Sequence, residues 1–312
     1  MFRALAPVLA AAAFMVAAPI AGAQVPADVA AQLRALGRVV DTEHTGAIYA
    51  PLQPQPPFAG VAFERDLKYG PDPKENLDVA RPTAAASAPR PVLVFVHGGA
   101  YVGGDKSRNG KGEPSPFSDN IMVWAAGQGM VGVNINYRLA PGAPYPAVQQ
   151  DIAEALVWVR KNIARYGGDP KHVFLWGHSA GASHVAAYVA HPEFYPGGQS
   201  GLSGAIMSSG TYDLTEGPQR PSPYFGDPAT FAARSSKAGL LASKVPLYFA
   251  AAELDPPPAV AQEQTIRDAL CAQGHCPAGG VLKDHSHMSE SYSVGTADQS
   301  LTAPLLAFIK GH

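Results

Sequence analysis

Short apolar runs bounded by glycine, proline and charge recur along the chain, and between them lie longer stretches in which apolar residues return at helical spacing. The runs at 91–96, 130–137, 172–176, 205–209 and 245–250 are too continuous for strands with one wet face, and they predict strands buried on both sides. Residues 61–69 and 77–81 predict an entry hairpin, and 281–283 a last strand. Helices are predicted near 28–36 and over 120–127, 147–166, 260–270 and 301–310. In the third, Ile152, Ala155, Leu156, Val159 and Ile163 form one apolar stripe that reads as core packing. Strands alternating with helices imply the α/β class: a mostly parallel central sheet, right-handed crossovers and helices on both faces.

The first residues follow a different pattern. Arg3 precedes an alanine-rich apolar run over 4–20, and Ala21-Gly22-Ala23 offers a small-x-small cleavage site, so 1–23 is expected to be a signal peptide and the mature chain to be exported, periplasmic or extracellular. The run is short for a membrane anchor. In an oxidising compartment Cys271 and Cys276, the two cysteines of the chain, are expected to pair. Closing so short a loop contributes about 2 kcal/mol. The full 312-residue chain, 46% hydrophobic and 15% charged, has enough apolar residues for one large core. A formal charge of −2 without basic clusters excludes nucleic acid and an anionic membrane surface as expected partners, and a small uncharged substrate is the default.

Chemistry enters at Gly177-His178-Ser179-Ala180-Gly181, which stands between a predicted strand and a helical stretch. Gly-x-Ser-x-Gly in that setting describes a nucleophile elbow, a tight turn that lifts a serine hydroxyl above the sheet. Upstream, the strand at 91–96 runs into His97-Gly98-Gly99-Ala100-Tyr101, a loop whose glycines let backbone N–H groups approach a developing oxyanion.

With Val133-Asn134-Ile135-Asn136-Tyr137-Arg138-Leu139-Ala140-Pro141 and Tyr166-Gly167-Gly168-Asp169-Pro170, these motifs make the chain resemble the serine carboxylesterases of the hormone-sensitive-lipase-like and related α/β-hydrolase groups. The resemblance implies the α/β-hydrolase fold over 57–312, with 24–56 as a lead segment that either covers the mouth of the site or forms a loose tail. It implies an oxyanion hole from the N–H groups of Gly99, Ala100 and Ala180, with alanine at 100 where many relatives have glycine. It also implies an acid after a late strand, placed at Asp255 before Pro256, with Glu253 and Asp213 as alternatives. The base follows the next strand. In Asp284-His285-Ser286-His287-Met288, His287 before an apolar residue fits the pattern better than His285.

The expected chemistry is Ser179 attack on a carboxylic ester, with His287 as base and Asp255 orienting it; no cofactor or metal is called for. Tyr101, Val102, Tyr212, Phe225 and Met288 are candidate walls of the substrate pocket. The stretch over 212–240 is too short for a large lid, which favours short-chain or small aromatic esters. An amidase of the arylformamidase kind would use the same triad, and a non-catalytic binding protein would keep the fold alone.

Overall fold

The apolar runs become the strands of one sheet. The structure, a computed structural model, describes residues 24–107, 115–117 and 119–312, so the expected signal peptide at 1–23 lies outside the described residues. In chain order the strands are β1 (Val61–Lys68), β2 (Asn76–Pro82), β3 (Arg90–Val96), β4 (Val131–Ile135), β5 (Gly168–His178), β6 (Gly204–Ser208), β7 (Leu247–Ala252) and β8 (Ala278–Leu282). They stand in the order β1-β2-β4-β3-β5-β6-β7-β8. Antiparallel pairing joins β1 to β2 and β2 to β4, and every later pairing is parallel. Val94 on β3 lies opposite Val133 on one side and Leu175 on the other, so this strand is central and buried.

Helices α1 (Ala27–Leu36), α2 (Thr42–Tyr49), α3 (Asn120–Gly127), α4 (Ala147–Asn162), α5 (Ala180–Ala190), α6 (Phe231–Arg234), α7 (Lys237–Ala242), α8 (Pro257–Ala272), α9 (Ser289–Tyr292) and α10 (Thr302–Gly311) fill the connections. The period of two along each strand divides the core. Val92, Val94, Val96, Val173 and Leu175 meet α4, α5 and α8 on one face. Leu93, Phe95, Phe174 and Trp176 meet α3 and α10 on the other. Both faces are covered, which explains why these runs lack polar alternation.

Some boundaries move for local reasons. The stripe predicted through 166 is α-helical only to Asn162; a 3-10 turn, Ile163–Tyr166, then closes on Gly167 at φ 82°. The lead segment is no loose tail: α1 and α2 bury Val29, Leu33 and Tyr49 against Tyr292, with Leu254 and Met288 packed alongside. The sequence reading missed α2 because it carries no apolar stripe. Its start is fixed instead by the Asp41 side chain, which accepts a hydrogen bond from the His44 amide at 2.8 Å. Cys271 and Cys276 form the expected disulfide, between the end of α8 and the turn into β8.

Candidate active site

Between β5 and α5 the chain turns at Ser179, whose backbone takes φ 58° and ψ −126°. The turn is held by the Ser179 amide, which donates to Ser208 O at 2.9 Å, and by the Ala182 amide, which donates to Ser179 O at 2.9 Å. Close approach dictates the flanking glycines. A Cβ at 177 would sit 2.2 Å from Gly181 O, and one at 181 would sit 2.1 Å from Val96 O, so any side chain would push the elbow away from β3. A positive φ on a serine is a strained state, persisting because the sheet and α5 fix both ends. Among the described residues Ser179 Oγ makes no hydrogen bond.

The loop after β3 lies against that serine, since a Cβ at Gly98 would be 2.9 Å from Ser179 Cβ. Gly99, Ala100 and Tyr101 follow with φ 139°, 51° and 70°. The loop is tied down from beneath: Tyr137 Oη donates to His97 O at 2.6 Å and the Ala140 amide to Tyr101 O at 3.1 Å. His97 stacks on Tyr137 at 4.4 Å, and burial pulls its imidazole down to about 4, so it is neutral. The amides of Gly99 and Ala100 donate to no protein acceptor among the described residues. The Ala180 N–H opens α5, where a helix has no internal partner for it. These three were the donors expected from the sequence.

The loops after β7 and β8 bring the candidate acid and base together. His287 Nδ1 donates to Asp255 Oδ1 at 2.7 Å, leaving Nε2 free to take a proton. Asp255 Oδ2 accepts from the Ala252 amide at 2.9 Å and lies 2.5 Å from Ser209 Oγ. Burial pushes the Asp255 carboxyl up, but the hydrogen bond and charge of His287, aided by Ser209 and the Ala252 amide, outweigh it and leave the group below its usual 3.8. The base is anchored to the elbow by His178, whose Nε2 donates to His287 O at 2.8 Å. Burial, then the neighbouring His287, lower His178 to about 3.

The alternatives are engaged elsewhere. Glu253 Oε2 accepts from the Asp284 amide at 2.7 Å, and Asp213 accepts from the Thr215 amide and pairs with Lys237 at 3.3 Å. His285 is buried, with Nδ1 2.9 Å from Ser289 Oγ and Nε2 3.3 Å from Asp298, and so steadies the base loop. Among the described residues no three His, Cys, Asp or Glu side chains are grouped to hold a metal ion.

The expected pocket walls do not all face one space. Tyr101 stacks on Tyr224, meets Phe225 and His184 edge-on, and donates to Ser183 Oγ at 3.1 Å. Val102 is exposed and Met288 packs against the lead helices. Tyr212 requires correction: its amide donates to Gln262 Oε1 at 2.9 Å, which turns the segment back onto α8 and sets the ring on Phe249 in the main core. Phe225 is likewise buried in that core. Two surface cavities, of about 390 and 470 Å³, have Tyr69, Trp158 and Phe194 or Val189, Tyr195 and Pro246 in their walls and touch none of the triad or pocket candidates.

The pattern of the BD-FAE family matches residues 77–194, which run from β2 through the elbow. Esterase LipQ of Mycobacterium tuberculosis is 33% identical over 248 residues, 72% of this chain and 57% of LipQ; esterase LipC of the same organism is 32% identical over 171 residues, 51% of this chain and 40% of LipC. The chain thus spans about half the length of these curated relatives. In three dimensions, esterase B from Lactobacillus rhamnosis superposes with a TM-score of 0.66 at 19% identity, over 91% of this chain and 96% of that one. The chain has the α/β-hydrolase fold and is similar to bacterial esterases. Sequence inspection of this α/β-hydrolase fold singled out the elbow and the loop after β3, and it passed over three buried groups: His178, Ser209 and Glu290. For His178 and Ser209 the signal was a polar residue at the end of an apolar run; Glu290, between Ser289 and Ser291, had none.

Proposed function

We propose that this chain of the α/β-hydrolase fold is an exported serine carboxylesterase that cleaves short-chain or small aromatic esters. One observation carries the reading: the 2.7 Å hydrogen bond from His287 Nδ1 to Asp255, in a base loop that His178 holds against the serine elbow. His287 Nε2 takes the hydroxyl proton as Ser179 Oγ attacks the ester carbonyl, and Asp255 stabilises the imidazolium. The amides of Gly99, Ala100 and Ala180 donate to the oxyanion, each worth roughly 3 kcal/mol in the transition state. Collapse passes the proton from His287 to the departing alcohol. Water, deprotonated by the same imidazole, then releases the acid.

The crowding of Tyr101 by Tyr224 and Phe225 supports small substrates. Export is supported by the sequence of 1–23 and by the Cys271–Cys276 disulfide, which persists in oxidising compartments. The test is hydrolysis of p-nitrophenyl esters from acetate to palmitate by the mature chain and by Ser179→Ala. Turnover should be fastest on the shortest acyl chains and fall at least about a thousandfold in the variant. Faster turnover of an N-formyl aromatic amine than of any ester, or activity surviving in Ser179→Ala, overturns the reading.

A further inference from the structure

Behind the triad acid, Ser209 Oγ stands 2.5 Å from Asp255 Oδ2 and 2.6 Å from Glu290 Oε2. Each short oxygen–oxygen contact needs a proton between its partners, and a serine hydroxyl has one. The other acceptor must therefore bring its own. Asp255 is ruled out as that donor, because its two oxygens already face the His287 N–H, the Ala252 amide and Ser209, an environment that favours the carboxylate.

Glu290 is in the opposite situation. It sits on α9 with none of its surface exposed, and its Oε1 has no partner. The groups facing it are His178 from the end of β5, Asp255 from the loop after β7, Tyr248 on β7, Tyr212, and Glu263 on α8. None is a cation. His178 Nε2 lies 3.8 Å from Glu290 Oε2, but that nitrogen already donates to His287 O and burial keeps the ring neutral. We propose that Glu290 is held as a neutral carboxylic acid that donates to Ser209, so that Ser209 donates to Asp255 and the chain Glu290–Ser209–Asp255–His287 sets the orientation of the triad acid. Burial and the charge of Asp255, which push the Glu290 carboxyl well above its ordinary 4.5, agree with this. Glu290 is thus a positioning residue. A second negative charge there would compete with Asp255 for the one Ser209 proton and turn the acid away from His287. The inference rests on the reading of Asp255 and His287 as acid and base.

Two measurements on the folded mature chain test it. Infrared difference spectra between wild type and Glu290→Gln at pH 7 should contain the carbonyl stretch of a protonated carboxylic acid, shifted in D2O, that the variant lacks. In kinetics on p-nitrophenyl acetate, Ser209→Ala and Glu290→Ala should each lower kcat about tenfold with KM unchanged, as expected for one lost hydrogen bond to a charged network, and Glu290→Gln, whose amide N–H also donates to Ser209, should recover most of the loss. No acid carbonyl band at pH 7, or Gln no better than Ala at 290, overturns the proposal. The infrared result does not depend on turnover, so it separates failure of the proton assignment from failure of the esterase reading.

Discussion

A methyl group on Gly98 would come within 2.9 Å of Ser179 Cβ and 3.0 Å of His178 O, whereas one on Gly181 would come within 2.1 Å of Val96 O and 2.7 Å of His97 O. The two clashes differ in what yields. At 98 the close atoms belong to the serine turn, so Gly98→Ala should fold and displace the nucleophile. A displacement of about 1 Å costs on the order of a hundredfold in kcat. At 181 the obstacle is β3 backbone locked in the middle of the sheet, so Gly181→Ala should lose roughly 3 kcal/mol or more of stability. Thermal melts paired with p-nitrophenyl acetate turnover check this, and equal melting losses in the two variants would contradict it. The local motif made Ser179 and its glycines readable from sequence, because the atoms that crowd Gly177 and Gly181 lie in or next to the pentapeptide or at the end of the adjacent β3. Ser209 and Glu290 are 81 positions apart and meet only through the packing of β6, β7 and α9, so no spacing could announce them.

Elements were readable where burial is two-sided. Strands β3 to β7 are runs of apolar residues that no amphipathic alternative explains, and α4 shows its stripe. The lead segment was harder, because α1 and α2 gain their stability from contacts remote in sequence. Arg38, between them, donates through Nη1 to Glu253 O at 2.6 Å and Asp255 O at 2.9 Å, and Arg34 pairs with Asp284. The pair of helices is therefore fastened to the loop of Asp255 and to the start of the loop of His287. Replacing Arg38 by Ala leaves two carbonyls of the acid loop without that donor. The variant should lose about 1 kcal/mol of stability and several-fold in kcat, with KM nearly constant, since a loosened acid misorients His287 without altering the pocket. Urea midpoints and steady-state kinetics on the same preparation decide it; a KM effect alone would place Arg38 at the substrate instead.

Over the whole molecule the buried titratable groups set how stability follows pH. Burial lowers His97 from 6.5 to about 4, and His178 and His184 to about 3. In that window the unfolded chain binds protons the native chain refuses, so their contribution is complete above 6.5 and is lost as pH falls toward those values. Glu263 runs the other way. Both its oxygens lack partners, and burial raises it from 4.5 to about 8, with Arg267 opposing and Asp255 reinforcing the shift. The native state keeps a proton that the unfolded chain releases, so this contribution is complete below 4.5 and is lost as pH rises to about 8; Glu290 has the same sign. Between 4.5 and 6.5 the two sets oppose one another. Below 4.5 the histidines act unopposed and are joined by Asp255, whose carboxyl is held below its usual 3.8, and above 6.5 the two raised carboxyls act without the histidines, each unbalanced proton changing stability by about 1.4 kcal/mol per pH unit. Urea midpoints should therefore rise steeply with pH below 4.5, rise less steeply from 4.5 to 6.5, where three histidines outweigh two carboxyls, peak near 6.5 and fall between 6.5 and 8. Glu263→Gln keeps the size of the side chain and removes its proton, so it should flatten the alkaline limb and leave the acid limb unchanged. An alkaline limb as steep in the variant as in the wild type would mean that Glu263 already ionises at its ordinary value.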